Sequence, residues 1–444
     1  MNYLNDFVSL LSKLISFESI ARNRNECRET AFFLKGILEE IGFSVDVIEH
    51  PEGNPVVLAE MKGTDSGFIM FYNHYDVQPP DPIEKWETDP FKLVKKNGIL
   101  YGRGVGDNKG NIASRIIVVK KLLDELGELP VGVKFVIDGE EEVGSPHLLE
   151  MLQQRKKFFN DVIGVIWETG GFHQDGSLSL TLGLKGILYV EMRAKRLRRD
   201  AHSSLAVLLP SAIWDLISFL YELKRTNLEA IKSFHEGIID VKEVLREIEE
   251  VGYEIAFYPE TLKEEYGIES FVDGLEGHEA LLAYFGRPTF NIDGIVAGYT
   301  GPGSKTVLPA EAYVKVDFRL VPNQDAKRIA EELCNFAKQY GIECKVHSMT
   351  EPAFTSFKHP FVQRVLKILK KMRRKVKIAP WSPASGPMHI FTKYFGLPVV
   401  SGIGVSYWSS GHHAPNENIR LQDVEEAMKI IEEILKSKEI RREE

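Results

Sequence analysis

The chain has 444 residues, of which 43% are hydrophobic and 27% are charged, and this length exceeds one compact core and suffices for two domains. The 55 Lys and Arg and the 64 Asp and Glu give a formal net charge of −9, which repels a phosphate backbone, so nucleic acid is not an expected partner. The N-terminal stretch carries polar residues at helical spacing and no segment has membrane-spanning length, so we expect no membrane partner and a cytoplasmic location.

Helices and apolar strands alternate in the first part of the chain. Apolar residues recur at helical intervals over residues 2–17 and 26–42. The elements expected next, in order, are the strands SVDVIEH, PVVLAEM and GFIMFYNH, a helix from about 111 to 127, the strand GVKFVI, a helix from about 146 to 157 and the strand DVIGVIWE. This alternation predicts an α/β layered domain.

The pattern changes near residue 183, where LGLKGILYVEMRAKR begins a stretch of strands with a two-residue period. Helices near 211–225 and 325–340 and the strand VDFRLV complete an α+β unit. After residue 353, a helix, the apolar strand GLPVVSGI and a last helix resume the first pattern. We therefore predict a discontinuous catalytic domain of residues 1–182 and 354–444, interrupted by an α+β insert of residues 183–353.

The three cysteines give no sign of cross-linking. Cys27, Cys334 and Cys344 are odd in number, far apart and without CxxC spacing. Neither a disulfide framework nor a thiolate zinc site is predicted, and all three are expected to be reduced thiols.

Two of the five segments that carry candidate chemistry present a histidine and two aspartates. The strand GFIMFYNH ends at His74, and Asp76 follows two residues later, so both point the same way. A carboxylate there can fix the tautomer of a metal-binding histidine, although the pair alone is more often without a ligand role. Asp107 lies among glycines in GILYGRGVGDNKGN, where a dinucleotide fingerprint would need glycine instead of Asp107.

Three further segments add carboxylates and a second histidine. Glu140, Glu141 and Glu142 follow an apolar strand, at the carboxyl end where α/β sites gather. Glu168 ends the strand DVIGVIWE, and His413 lies in the loop SSGHHAPNENI. Each residue is unremarkable alone. Together, two histidines and three carboxylates predict a site for zinc or similar divalent ions, and a shared carboxylate allows two metals.

The motifs HYDVQPPDP, GILYGRGVGDNKG, EEVGS and HAPNE occur in the order and approximate spacing of one metallopeptidase family. The chain resembles, over nearly its whole length, the family of carnosine dipeptidase, glutamate carboxypeptidase, aminoacylase, acetylornithine deacetylase and succinyl-diaminopimelate desuccinylase. The carnosine dipeptidase branch is the most similar. The resemblance implies an α/β zinc-peptidase-type catalytic domain, with a mixed sheet flanked by helices. It also implies that residues 183–353 form a lid and dimerisation domain, and that the protein is a homodimer.

The resemblance further implies two zinc ions per subunit, for which Co²⁺ or Mn²⁺ could substitute. One ion is assigned to His74, Asp107 and Glu168. The other is assigned to Asp107, Glu142 and His413, so Asp107 bridges the two ions.

Roles outside the metal ligands are implied in the same way. Asp76 would orient the neighbouring histidine ligand, and Glu141 would be the general base. RRDAHSS places His202 where the family has a histidine that stabilises the oxyanion in the partner subunit's active site. The implied substrate-binding residues are Thr306, Arg319 and Ser385.

The predicted reaction is hydrolysis of the amide bond next to a free carboxylate in a small peptide or an N-acyl amino acid. The branch favours a dipeptidase or carboxypeptidase. Glu168 favours the alternative, a deacylase of the acetylornithine or succinyl-diaminopimelate type, because the family's dipeptidases usually carry Asp there. Loss of Glu141 or a ligand would mark a non-catalytic metal-binding homologue, and metal analysis would distinguish a purely structural acidic cluster.

Overall fold

The computed structural model describes residues 3–440, so residues 1–2 and 441–444 of the predicted catalytic domain, including the start of its first helix, lie outside the described residues. Within 3–440 the α-helices are α1 (Tyr3–Ile15), α2 (Arg24–Ile41), α3 (Lys109–Leu126), α4 (Leu148–Gln153), α5 (Ala212–Arg225), α6 (Val241–Glu250), α7 (Thr261–Tyr266), α8 (Gly277–Gly286), α9 (Ala326–Gln339), α10 (Pro360–Lys371) and α11 (Leu421–Lys436). Most of the predicted helices agree with these bounds to within a few residues. The predicted helix 146–157 is instead the shorter α4 followed by a 3₁₀ turn.

The strands of the same range are β1 (Ser44–Ile48), β2 (Val56–Met61), β3 (Asp65–His74), β4 (Val94–Lys96), β5 (Ile99–Tyr101), β6 (Val131–Asp138), β7 (Val162–Phe172), β8 (Leu178–Thr181), β9 (Gly183–Leu184), β10 (Gly186–Lys195), β11 (Ala201–His202), β12 (Glu254–Ile255), β13 (Thr289–Ala297), β14 (Val307–Leu308), β15 (Glu311–Leu320), β16 (Ile342–Thr350), β17 (Ala353–Phe354), β18 (Val376–Ala379), β19 (Val399–Tyr407) and β20 (Asn418–Arg420). They include a nine-stranded sheet in the order β1-β2-β6-β3-β7-β19-β8-β18-β12.

The nine-stranded sheet is mixed. Its centre is parallel, since β3 pairs in parallel with both β6 and β7, and β7 pairs in parallel with β19. Two hydrophobic cores are built on it, one including residues of α1, α2, α3, α10 and α11 and the other including residues of α4. Strands buried in this way read as nearly continuous apolar runs, as β6 does. The predicted fold class, a mixed sheet flanked by helices, is confirmed.

A smaller antiparallel sheet, in the order β13-β15-β10-β16, has its own core against α5 and α9. Strands β9 and β17, through which the chain enters and leaves this part of the molecule, pair with each other. They coincide with the limits predicted for the insert.

Part of the predicted insert packs elsewhere. Val244 and Ile248 of α6 and Phe285 of α8 belong to the core of the large sheet, and β12 pairs with its strand β18. Burying an amphipathic helix needs only a complementary apolar surface, and the sequence does not state which sheet supplies it. The boundaries of the two domains stay a prediction.

The prediction of three reduced thiols is wrong for two of them. Cys334 and Cys344 form a disulfide, with their Cα atoms 5.2 Å apart. Helix α9 turns directly into β16, and this reversal brings together two residues that lack any recognisable sequence spacing. Cys27 is a buried free thiol whose pKa is raised to about 12, chiefly by burial.

Among residues 3–440, no helix is both long enough and apolar enough to span a bilayer. The cytoplasmic location stays a prediction.

Candidate metal centre

The candidate site lies at one edge of the large sheet, where parallel strands end together. His74 is the last residue of β3, and the turn containing Glu141 and Glu142 follows β6. Glu168 lies on β7, which neighbours β3. Because parallel neighbours share a carboxyl edge, residues far apart in sequence meet there.

Asp107 lies between the two histidines. One carboxylate oxygen, Oδ1, is 3.0 Å from Nε2 of His74, and the other, Oδ2, is 3.1 Å from Nε2 of His413. Nε2 of His413 is also 3.2 Å from Oε2 of Glu142. This is the arrangement expected of a carboxylate that could be shared between two cations, one near each imidazole.

Two groups of side chains bring their potential ligand atoms within 4.8 Å of one another. One group is His74, Asp107 and Glu142, and the other is His74, Glu141 and Glu168. Oε2 of Glu168 is buried, has no hydrogen-bond partner among the described residues, and lies 3.7 Å from Nε2 of His74. A buried carboxylate oxygen without a partner is costly unless a cation compensates it, so these residues fit divalent metal ions.

The electrostatics of the site agree with this fit. Burial raises the pKa of Glu168 to about 8, and the charge of Asp107 adds to the effect. Burial, followed by the charge of Glu168, raises the pKa of Glu141 well above its usual value. Hydrogen bonds to Asp107 and Glu142 raise the pKa of His413 to about 10. Several carboxylates buried side by side repel one another unless positive charge compensates them, and protons or metal ions can supply that charge.

Asp76 holds two parts of the site together. Its backbone carbonyl oxygen is 3.1 Å from Nδ1 of His74, and its carboxylate is 3.4 Å from the same nitrogen. The carboxylate also accepts hydrogen bonds from the backbone N–H groups of Glu141 and Glu142, at 3.2 and 3.0 Å. Asp76 therefore contacts both the histidine ring and the backbone of the acidic turn.

A cavity of about 750 Å³ opens over these residues, and Asp107, Glu141, Glu142, Glu168 and His413 line it. Arg319 of β15 and Ser385 line it as well. Nη1 of Arg319 donates to Oγ of Ser385 at 3.1 Å, and its Nε is 3.4 Å from Asp317. The structure thus brings a cation from the small sheet to the wall of the acidic cavity.

His202 and Thr306 are not among the described residues that line this cavity. His202 pairs with Val307 in the two-stranded ribbon of β11 and β14, and Thr306 directly precedes Val307 in the sequence. The side chains of His202 and Thr306 are both exposed. Nδ1 of His202 is 2.8 Å from Oγ of Ser204. Any role of these two residues in catalysis would therefore take place outside the cavity of their own chain.

The sequence analysis did not identify Gln78 and His412, two polar residues of the cavity wall that lie close to proposed ligands. Nε2 of Gln78 donates to Oε2 of Glu142 at 3.0 Å and thereby orients that carboxylate. Nδ1 of His412 lies 4.0 Å from Asp107, while its Nε2 is 2.8 Å from Oγ of Ser406. Both residues lie within or beside the motifs, in HYDVQ and GHHAP, and this position in the sequence could have indicated a role at the site.

Arg115 of α3 was also missed, and it is completely buried. Its Nη1 donates to the carbonyl oxygen of Tyr72 at 2.8 Å, and its Nη2 donates to the carbonyl oxygens of Trp167 and Ile403. One guanidinium therefore joins the neighbouring strands β3, β7 and β19. A single arginine within the apolar stretch IASRIIVV was the sequence signal.

The large mixed sheet carries a buried group of acids and imidazoles that fits divalent metal ions. The sequence profile of the peptidase family M20/M25/M40 matches residues 70–437, and the chain therefore belongs to this family. The resemblance predicted from the motifs is confirmed.

Individual relatives agree with this membership. The chain is 30% identical to the human Beta-Ala-His dipeptidase over 372 residues, covering 78% of this chain and 72% of that protein. It is 30% identical to a Cys-Gly metallodipeptidase of Saccharomyces cerevisiae over 369 residues, covering 78% and 74%. Among solved structures, an M20 family metallo-carboxypeptidase from Sulfolobus solfataricus superposes with a TM-score of 0.85 at 34% identity, over 97% of this chain and 98% of that one.

Proposed function

We propose that this metallopeptidase uses two divalent cations to hydrolyse the amide bond next to a free carboxylate in small peptides. The observation that carries the proposal is the placement of Asp107 between His74 and His413, with a buried oxygen of Glu168 that has no hydrogen bond 3.7 Å from His74. Zinc is the proposed metal, with Co²⁺ or Mn²⁺ as substitutes, because imidazole and carboxylate ligands without thiolates suit all three.

The residues that would hold the cations are grouped as the family resemblance implies. His74, Asp107 and Glu168 would hold one ion, and Asp107, Glu142 and His413 would hold the other. When bound, the ions would lower the pKa of a water molecule and polarise the scissile carbonyl group.

Glu141 would act as the proton carrier. It lines the cavity, its carboxylate lies within 4.8 Å of the potential ligand atoms of His74 and Glu168, and it follows the strand β6 whose carboxyl end borders the cavity. It would accept a proton from the attacking water and deliver it to the leaving nitrogen.

Arg319, with Ser385 beside it, would hold the substrate's free carboxylate, because a guanidinium matches the two oxygens of a carboxylate. The hydrogen bond between the two side chains holds the arginine against the cavity wall. The carboxylate clamp would thus come from the small sheet and the reacting groups from the large one. A bound substrate would therefore contact residues of both sheets.

Replacing Arg319 with alanine is expected to lower kcat/KM for substrates with a free α-carboxylate by roughly 10- to 100-fold, because a charge-assisted pair is lost. Amidated analogues of the same substrates should be affected little. Steady-state kinetics on both substrate sets measures the difference. Arg193→Ala is the control, since Arg193 lies in the same sheet and pairs with Glu191 and Glu311. An equal penalty on both sets would mean that Arg319 only stabilises the fold, through its contact with Asp317.

The second subunit would complete the site. His202 is proposed to stabilise the oxyanion in the partner's cavity, which agrees with its exposed position outside the cavity of its own chain. Thr306 is proposed to help Arg319 hold the substrate carboxylate. The small sheet offers a surface for pairing: β13 is an edge strand with Ile295 and Val296 exposed, and α5 exposes Trp214 to 68%. Long apolar edges are usually covered by another chain.

Mixed dimers test this arrangement. His202→Ala and Glu141→Ala homodimers should both be inactive, but a mixed dimer has one complete site, formed by Glu141 of one chain and His202 of the other. Random pairing makes about half the dimers mixed, each with one good site of two, so activity should return to roughly a quarter of wild type. Co-expression with two affinity tags isolates the mixed species, which should show about half of the wild-type activity.

Verified mixed dimers without activity would show that His202 acts within its own subunit. A His202→Ala protein with nearly full activity would show that it is a surface residue without a catalytic role. Glu141→Ala mixed with wild type is the control for subunit exchange, because its activity should follow the fraction of wild-type sites alone.

A deacylase is the second candidate. Glu168 favours it, and a succinyl-diaminopimelate desuccinylase of Nitrosospira multiformis is 34% identical over 198 residues, although these cover only 41% of this chain and 50% of that protein. A substrate panel separates the candidates: dipeptides, longer peptides, and N-acetyl and N-succinyl amino acids, each with Zn²⁺, Co²⁺ or Mn²⁺. Turnover confined to the acyl amino acids would replace the peptidase proposal. Absence of turnover on every member would contradict both.

A further inference from the structure

A buried carboxylate outside the proposed ligand set organises the loop of Asp107. The side chain of Glu417 is completely buried, and each of its oxygens accepts two hydrogen bonds. Oε1 accepts from the backbone N–H groups of Gly106 at 2.9 Å and Asp107 at 3.0 Å. Oε2 accepts from the backbone N–H of Gly104 at 2.9 Å and from Nη1 of Arg103 at 2.8 Å.

The backbone of residues 103–107 is therefore wrapped around one carboxylate. Gly104 has a φ of +87°, which a residue with a side chain rarely adopts. A Cβ on Gly106 would lie 2.8 Å from Nε2 of His412, so a residue with a side chain would collide with this ring. The close turn that the glycines permit is the turn that lets three amide groups reach Glu417.

The arrangement fixes the direction of the Asp107 side chain. Glu417 accepts a hydrogen bond from the backbone N–H of Asp107, while the side-chain oxygens of Asp107 face His74 and His413. Glu417 also lies four residues after His413, so one short segment carries both a proposed ligand and the anchor of the shared one. Displacing Glu417 would disturb the shared carboxylate and the imidazole together.

Arg103, the charged donor to Glu417, is held by further contacts. The guanidinium of Arg103 lies 5.3 Å from the ring of Trp86 and donates to the carbonyl oxygen of Pro79 at 3.2 Å. A buried carboxylate with four donors, one of them charged, is a strong and directional contact, and removing it leaves those donors unsatisfied.

We propose that Glu417 is a positioning residue of the metal centre, which holds the backbone of Asp107 so that its two oxygens face two cations. This inference rests on the proposed function, in which Asp107 is the shared ligand. Residues that orient ligands affect metal affinity without touching the metal. The inference therefore concerns binding of the ions, which can be measured without substrate.

The test is a titration of chelator-stripped protein with Co²⁺. Binding is monitored by calorimetry and by the visible absorption of the bound ion. Glu417→Gln keeps the shape but turns one acceptor oxygen into a donor. We expect it to weaken Co²⁺ binding by roughly 10- to 100-fold and to change the absorption spectrum. The matched control is Glu351→Gln, because Glu351 is also buried and accepts from a backbone N–H, that of Ala326, and from a cation, Lys393.

The control should bind Co²⁺ within twofold of wild type. If Glu417→Gln does not fold, Glu417→Asp replaces it, since it keeps the charge but is too short to reach all four donors. A folded variant at position 417 with wild-type affinity and spectrum would overturn this inference alone. A wild-type protein that binds no Co²⁺ would overturn the proposed function and this inference with it.

Discussion

Replacing Glu141 with glutamine is expected to lower kcat by ~10²- to 10⁴-fold while bound metal stays near the wild-type amount. Glutamine keeps the shape of the side chain but cannot accept the proton from the attacking water. Glu142→Gln should instead lose metal, because Glu142 is 3.2 Å from His413 and belongs to the proposed ligand set. Elemental analysis of the purified variants and their kcat values together distinguish the two roles.

The neighbouring acid supplies the control. Glu140 is buried, and its carboxylate points away from the cavity, toward Nδ1 of His147 at 2.9 Å and the backbone N–H of Asn54 at 3.1 Å. Glu140→Gln should therefore keep both kcat and metal. If Glu141→Gln loses metal and Glu142→Gln keeps it, the base and the ligand have been exchanged by one position in the acidic turn.

Replacing Asp107 with alanine is expected to remove more metal than replacing any terminal ligand. A terminal ligand such as Glu168 serves one ion, whereas Asp107 is proposed to serve both, so its loss should bring the bound metal from about two ions per subunit toward none. Activity should fall below detection in consequence. Inductively coupled plasma mass spectrometry on Asp107→Ala and Glu168→Ala, prepared side by side, gives the comparison.

A surface carboxylate controls for the loss of charge itself. Asp175 is exposed and pairs with Lys375 and Lys377, so Asp175→Ala should retain the full metal content. Wild-type metal content in Asp107→Ala would remove the shared-ligand assignment. Equal losses in Asp107→Ala and Glu168→Ala would leave Asp107 as a ligand of one ion only.

The sequence was sufficient for those parts of the site that follow local rules. An apolar run that ends in a polar residue predicted both His74 and Glu168. His74 is indeed the last residue of β3, whereas β7 continues beyond Glu168 to Phe172. The grouping of Asp107 with His413, some 300 residues later, could not be derived from spacing. It came from the family resemblance, and the structure shows the two side chains in contact.

The features that the sequence did not reveal depend on long-range packing. Arg115 and Glu417 were missed because a buried charge is recognised by its partners, and theirs are backbone groups of distant segments. Cys334 and Cys344 were misjudged because a disulfide depends on the geometry of a helix-to-strand turn. Helices α6 and α8 pack on the large sheet because its far edge has an apolar surface that they cover.

The position of β19 has a consequence for the order of events during synthesis. This strand lies between β7 and β8 in the large sheet, although about 220 residues separate it from β8 along the chain. Until β19 has left the ribosome, the flank of β7 that it covers has no strand to pair with. We therefore expect the nascent chain to keep this edge of β7 unpaired through about half of translation, and the metal centre, whose last proposed ligand follows β19, to assemble only afterwards.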